Sequence, residues 1–551
     1  RVAAARTRSR THQIGPDQVL EDFVQITPRY LGLFARRSAD SACPASPARH
    51  ATVRSAYSAV FESITVPLPE NHPILHLDVK NSSGKLDGRS GAFESDEPAR
   101  QKSWVSYQEP AMRYSNILKF TSTVVLLMAG SLFADDEFER EPILYSQRTP
   151  DNRVSRLQQR LDQGELILTH DGEKSYLPAL LKVLDIPVES QMLVFSKTSL
   201  QLRRISPRTP RAIYFNDDVY VGFCQSGDVI EISAVDAQLG TVFYTLDQRE
   251  NETPLFERRT DNCLVCHSSS RTEGVPGHLV RSLYVDAGGQ PLLSAGSRMV
   301  DHTTPIEQRW GGWYVTGTHG SQKHLGNLVI RGRDVEEPVD NSAGQNVQEL
   351  KERLNVDRYV SPHSDIAALM VLEHQVLVHN RIVKAGFDTR QALDYDAMMN
   401  RTLGNPPGTR LESTARRIKS TGDRLVEALL LVNEAKLTEP VKGTSGYAEQ
   451  FAPAGPHDPQ GRSLRDLDLT TRLFKHPCSY LIYSEAFDGL PVESRDYVWQ
   501  RLFDILSGQD QSEKFANLSQ DDRLAILDIL RHTKAGLPDY YRNEAQVGML
   551  P

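Results

Sequence analysis

Cysteine is scarce in this chain, with five in 551 residues, too few and too scattered for a disulfide-stabilised scaffold. Positive charge is not in excess, since 63 Lys and Arg stand against 71 Asp and Glu, and this does not favour a nucleic-acid-binding protein. The composition is not collagen-like, coiled-coil or wholly disordered. The sequence also lacks a phosphate loop, a dinucleotide fingerprint, and the HExxH and GxSxG motifs.

Long apolar runs are missing as well, and the one notable run extends only from Phe120 to Ala129. Two basic residues, Arg113 and Lys119, precede it, and an acidic stretch begins at Asp135. A basic head, a short apolar stretch and small residues before a cut are typical of a secretory signal peptide. We therefore expect residues 112–134 to be a signal peptide, with a buried helix as the alternative.

A signal peptide belongs at an N-terminus, yet 111 residues precede this one. They begin with Arg and show little helical or strand period, so we expect residues 1–111 to be a non-native or disordered upstream extension, with translation starting at Met112. A genuine disordered or small N-terminal domain ahead of a membrane helix is the alternative. Residues 135–551 carry 47 basic and 59 acidic side chains. They are expected to be periplasmic or secreted, without a stable membrane span after signal cleavage.

The exported part divides by its hydrophobic pattern into two regions. Residues 135–335 are β-rich, with short strand-like runs from about residue 190, whereas residues 336–551 are mainly helical. The strongest helix is expected from Asp365 to Lys384, with Ser364 as N-cap and Gly386 at its end, and another follows Ser519. The predicted fold class is α+β.

The cysteines that matter lie within the β-rich region. Residues 262–268 read Asn-Cys-Leu-Val-Cys-His-Ser, a C-x-x-C-H sequence from Cys263 to His267. Two thiols separated by two residues can add to the two vinyl groups of a porphyrin, while the next histidine ligates the iron. Half of a zinc site, a thioredoxin-like redox pair and a plain disulfide are the alternatives, but the sequence has no second C-x-x-C.

This motif resembles that of the c-type cytochromes. The resemblance implies one covalent haem c with iron, thioether anchors at Cys263 and Cys266, and His267 as proximal iron ligand. It covers few residues beyond the motif. Strand-like runs lie on both sides of it, so the small all-helical fold of soluble cytochromes c is not expected here.

A ligand on the other side of the iron decides between electron transfer and catalysis, because Met or His there blocks substrate. Met299 is our first choice, with Met as a core filler the alternative. The next candidates are His302, His319 and His324. Met370 and His374 would share a helix face, with His379 beyond them, but their apolar neighbours favour core packing. His278 lies close to the motif in sequence and ranks below these.

We expect an exported protein that transfers electrons through one haem to a redox partner protein that the sequence does not identify, with no nucleic-acid partner. One alternative is a periplasmic peroxidase-like oxidoreductase with an open iron site, and another is a haem-based sensor or interaction protein. Cys224 and Cys478 are left over, and the sequence leaves open whether they pair.

Overall fold

The computed structural model describes residues 137–332, 335 and 338–542. The expected signal peptide and upstream extension lie outside these residues. All described residues belong to one compact unit. A six-stranded antiparallel sheet lies in the middle of the chain and a helical region follows it, which confirms the predicted α+β class.

The main sheet is a simple meander in which each strand pairs with the next along the chain. Short turns make this possible: between the second and third strands, the Asn216 side chain accepts from the backbone N–H groups of Asp218 and Val219. The strands are β1 (Met192–Val194), β2 (Arg211–Phe215), β3 (Val219–Phe223), β4 (Val229–Asp236), β5 (Gly240–Asp247) and β6 (Glu257–Arg259). A separate hairpin pairs β7 (Arg281–Leu283) with β8 (Ser297–Met299).

Successive side chains of a strand point to opposite faces, and the two faces of this sheet have different partners. The outer face, including Tyr214, Val221 and Ile232, packs with Leu157 and Leu180 of two short helices, α1 (Arg153–Asp162) and α2 (Leu177–Val183). The inner face carries Phe215, Tyr220 and Val235, which belong to the core of the helical region. The sheet therefore joins the two regions that the sequence pattern separates.

The helical region is built around one long helix. The helices after α2 are α3 (Asn262–His267), α4 (Ile366–Leu403), α5 (Glu412–Leu429), α6 (Tyr447–Phe451), α7 (Glu485–Asp488), α8 (Val492–Leu506) and α9 (Gln520–Thr533). Within the described part of the chain, no helix combines the length and apolar character needed to cross a membrane.

Both ends of α4 differ from the predicted ones. Its N-cap is Asp365, whose carboxylate accepts from Ala367 and Ala368 N–H, while Ser364 hydroxyl donates to the Tyr314 carbonyl instead. The helix continues through Gly386 and ends at Gly404, where φ is +70°. A glycine inside a helix costs about 1 kcal/mol, and the buried residues after it, such as Phe387 and Ala392, offset that cost. The predicted N-cap of α9 at Ser519 is confirmed.

Helix α4 meets the sheet closely at the turn between β4 and β5. Gly240 has a φ of +68°, and a Cβ atom there would lie 2.5 Å from Val383 Cγ1. Gly404 has a similar φ, yet no atom lies within 4 Å of its Cβ position. A side chain at Gly404 would therefore cause backbone strain alone, whereas one at Gly240 would cause backbone strain and a clash with α4.

We predict that Gly404→Ala lowers the free energy of unfolding by about 1 kcal/mol through backbone strain alone. Gly240→Ala should lower it by about 2–4 kcal/mol, because the clash with Val383 adds an overpacking cost. Urea unfolding of both variants measures the difference. Equal losses would show that the turn is not in contact with α4.

Candidate haem-attachment site

The C-x-x-C-H sequence forms the short helix α3, directly after β6. Residues three and four apart lie on the same helix face, so Cys263, Cys266 and His267 share a face. Cys263 is half-buried and Cys266 exposed, and both are free thiols. Leu264, between them, is buried and anchors the helix. The two thiols are thus held on a fixed element and are available for attachment.

The His267 imidazole is oriented by the protein backbone. Its Nδ1 lies 2.8 Å from the Gly277 carbonyl oxygen, and because a carbonyl only accepts, Nδ1 carries the proton and Nε2 has the free lone pair. No hydrogen bond to Nε2 is found among the described residues. Burial lowers the pKa of His267, which favours the neutral ring. A neutral imidazole with Nδ1 donating to a carbonyl is the arrangement that protein metal ligands use.

Helix α4 fixes the carbonyl that orients His267. The Asn380 side chain bonds twice to the backbone of the next residue, His278: its Oδ1 accepts from the N–H at 3.0 Å and its Nδ2 donates to the carbonyl at 2.9 Å. A Cβ atom at Gly277 would lie 2.3 Å from Asn380 Oδ1, so the approach requires glycine. The neighbouring Arg381 forms an ion pair with Glu273. Helix α4 therefore holds the loop of residues 268–278 at two points.

Asn380 was missed by the sequence reasoning. Its only signal is a polar residue within the apolar stretch from Ile366 to Val383, and that stretch also contains other buried polar residues such as Glu373 and Gln375. The residues next to Asn380 in the sequence do not show whether its side chain contacts a distant loop or a neighbouring helix.

His278, which the sequence reasoning ranked low, shares a ring neighbour, Phe243, with His267 of the motif. The Phe243 ring contacts both histidine rings, with centroid distances of 4.9 Å to His267 and 6.2 Å to His278. Burial, together with the charges of other histidines, holds the pKa of His278 well below its usual range. Its Nε2 lies 2.7 Å from Ser233 Oγ, so the ring is engaged by the sheet.

Beyond His278, a row of rings continues into the core. The Tyr220 ring lies 4.0 Å from that of His278, and its hydroxyl lies 2.9 Å from His379 Nδ1. Burial alone lowers the pKa of His379 to about 3. The buried side of the motif is therefore uncharged and packed.

Met299, the first candidate for the sixth iron ligand, ends β8 and is half-buried. It pairs with Arg281 across the β7–β8 hairpin, three residues after His278. The same hairpin thus connects the loop that orients His267 with Met299. No described contact joins Met299 to His267, and its role stays a prediction.

The three histidines considered as the sixth iron ligand contact residues other than His267. His302 Nδ1 is 3.1 Å from Nδ1 of His374, a residue of α4. The rings of His319 and His324 pack on each other at 4.7 Å, and Asn346 N–H donates to His319 Nε2. No described ring contact joins any of the three to His267, and their roles also stay predictions.

Cys224 and Cys478 are both free and buried, so they do not pair with each other in this structure. Burial raises the pKa of each thiol to about 12. Both thiols are therefore protonated at neutral pH.

The residues present fit a covalently attached haem: two free thiols three residues apart lie beside an imidazole whose Nε2 is available. Among the described residues, no three His, Cys, Asp or Glu side chains form a group that could hold a metal ion. Comparisons with protein-family models, curated proteins and solved structures found no match to this chain.

We predict that Asn380→Ala loosens the loop of residues 268–278. It leaves the N–H and carbonyl of His278 buried and unpaired, which should lower the free energy of unfolding by about 2–4 kcal/mol. Hydrogen–deuterium exchange of the loop should increase strongly.

The matched control is Asn517→Ala, since Asn517 Nδ2 makes a single bond to the Leu430 carbonyl. That variant should leave exchange in the loop unchanged. Asn380→Asp, which keeps the acceptor for His278 N–H, should give an intermediate increase. Equal exchange of the loop in the Asn380→Ala and Asn517→Ala variants would contradict the role of Asn380 in holding the loop.

Proposed function

We propose that this chain is an exported, periplasmic or secreted c-type haem protein that transfers electrons through one haem. Cys263 and Cys266 attach the haem by thioether bonds, and His267 Nε2 binds the iron. The observation that carries the proposal is the state of His267: Nδ1 is fixed by the Gly277 carbonyl beside two free thiols, and Nε2 has no described hydrogen bond. The haem supplies a one-electron couple between ferrous and ferric iron.

The chain's own residues would orient and shield this group. Each thiol gives its sulfur to one vinyl carbon and its proton to the other, so attachment consumes both thiols without net oxidation. His267 is held in one tautomer by Gly277, which Asn380 keeps in place. The Phe243 ring packs on the His267 imidazole and on the His278 ring, which would shield one side of the imidazole. Such rigid surroundings limit reorganisation when the iron changes charge.

Docking to a redox partner would be guided by charge. Residues 135–551 carry an excess of acidic side chains, which favours a partner with a basic surface and an association rate that falls with salt.

A haem enzyme with an open iron site is the second candidate. One observation favours it: His302, His319 and His324 are each already engaged in contacts away from His267. If Met299 is not the sixth ligand either, the iron is open to a small oxidant such as a peroxide.

Visible spectra of the protein, oxidised and reduced, with and without carbon monoxide, test the proposal. An electron carrier should show low-spin iron that cycles reversibly and does not bind carbon monoxide. Met299→Ala should convert the iron to a high-spin form that binds carbon monoxide. Met398→Ala, at an exposed position, should leave the spectra unchanged.

Carbon monoxide binding by the unaltered protein would contradict the electron-transfer role and favour the enzyme or a sensor. Low-spin iron that survives Met299→Ala would remove Met299 as ligand. The same substitution at His302, His319 or His324 would then identify the residue.

A further inference from the structure

Tyr220 is a buried tyrosine whose hydroxyl is bonded to a base. Its Oη lies 2.9 Å from His379 Nδ1, and the two side chains are buried, with exposed fractions of 6% and 0%. The buried hydroxyls of Tyr145, Tyr214 and Tyr359 donate instead to carbonyl or amide oxygens, which take no proton at neutral pH. An imidazole nitrogen, in contrast, is a proton acceptor.

The surrounding contacts fix the direction of this hydrogen bond. Gln375 Nε2 donates to the Asn216 carbonyl at 2.8 Å, which sets the orientation of the amide, and it also donates to Tyr220 Oη at 2.8 Å. The single proton of the hydroxyl is therefore left for His379 Nδ1. Burial keeps the His379 ring neutral, so Nδ1 accepts from Tyr220 and Nε2 carries the ring proton.

That ring proton has no partner. His379 Nε2 is buried and makes no hydrogen bond to any described residue, which is costly in a folded protein. An amide in place of the imidazole would avoid this loss, as Gln191 does where it accepts from Tyr214 and donates to two carbonyls. A redox or catalytic role is one reason for which a fold retains an unsatisfied buried group.

Packed rings connect Tyr220 to the C-x-x-C-H helix. The Tyr220 ring lies 4.0 Å from that of His278, and Phe243 lies 6.2 Å from His278 and 4.9 Å from His267. The row thus runs from the proposed iron ligand into the core, with no step longer than 6.2 Å between ring centroids. Electrons tunnel through packed protein over several contacts of this kind.

We propose that Tyr220 is a redox-active tyrosine that gives an electron to the haem attached at α3 and its phenolic proton to His379, with a hydroperoxide as the co-reactant. This inference rests on the proposed haem attachment and deepens the second candidate function, a haem enzyme.

Reduction of a hydroperoxide to an alcohol and water breaks the O–O bond and takes up two electrons and two protons. One electron comes from the iron, which changes from ferrous to ferric, and the other comes from Tyr220. The two protons come from solvent, while the proton of Tyr220 moves along its hydrogen bond to His379 Nδ1. A neutral tyrosyl radical and an imidazolium result. One electron from a reducing partner and the returning proton restore Tyr220.

The proton transfer is favourable although burial lowers the pKa of His379 to about 3. A phenol that has lost an electron is a strong acid, stronger than an imidazolium even at this buried position. The hydroxyl of Tyr220 has no other base in contact, because its second partner is the Gln375 amide.

The test mixes ferrous protein with one equivalent of hydrogen peroxide and examines the frozen sample by electron paramagnetic resonance. We expect a tyrosyl radical, with no more than one radical per ferric iron, and no such radical in the Tyr220→Phe variant. The matched control is Tyr145→Phe, because Tyr145 is also buried but donates to the Thr241 carbonyl. That variant should leave the signal unchanged.

His379→Gln separates the two roles of His379, since an amide oxygen still accepts the hydrogen bond but takes no proton. Radical formation should slow about a hundredfold, and this variant covers the case in which Tyr220→Phe fails to fold. An unchanged rate in His379→Gln, or an unchanged radical in Tyr220→Phe, would overturn the inference.

A protein that carries covalent haem and forms no radical would also overturn the inference, and it would leave the proposed electron transfer intact. A protein without covalent haem would overturn the proposed function and this inference together.

Discussion

The double hydrogen bond between the Asn380 side chain and the backbone of His278 is the contact on which the proposed site depends. It fixes the peptide that follows Gly277, and the Gly277 carbonyl in turn fixes the imidazole of His267. Each bond contributes only about 1 kcal/mol net. Breaking both, however, would leave two buried backbone groups unpaired, so the loop has no alternative position of similar energy. A covalent anchor alone would not orient the imidazole in this way.

Helix α4 acts as the common support for the parts around the site. Near its start, the Asp365 carboxylate caps the helix and also accepts from Ser445 N–H. Further along, Val383 meets the turn at Gly240, and Asn380 and Arg381 hold the loop after α3. Since one rigid helix makes all these contacts, the sheet and the loop are fixed relative to each other. Sites held by packed elements keep their geometry better than sites on free loops.

The sequence was informative where the signal is local. The α+β class and the order of the regions follow from hydrophobic periods of two and of 3.6 residues. The C-x-x-C-H motif is contained in five consecutive residues, and the haem chemistry expected of it stays a prediction. The end of α4 was placed wrongly at Gly386, because the burial that stabilises the helix beyond it depends on tertiary packing.

Long-range contacts explain what the sequence did not reveal. Asn380 lies 102 residues from His278, and Tyr220 is 159 residues from His379, so neither pair has a spacing that signals contact. His278 ranked low because closeness in sequence to the motif was counted against it, whereas the sheet places its ring beside Phe243. The structure also answers the question of Cys224 and Cys478, which lie apart as free thiols.

Peptide mass spectrometry of the protein from a host competent in cytochrome maturation tests the central claim most directly. The protein is unfolded, its thiols are alkylated, and it is digested. The peptide with residues 263–267 should carry the mass of one haem and no alkyl group, while Cys224 and Cys478 should each be alkylated. Alkylation of both Cys263 and Cys266, or a disulfide between them, would contradict covalent haem attachment at α3.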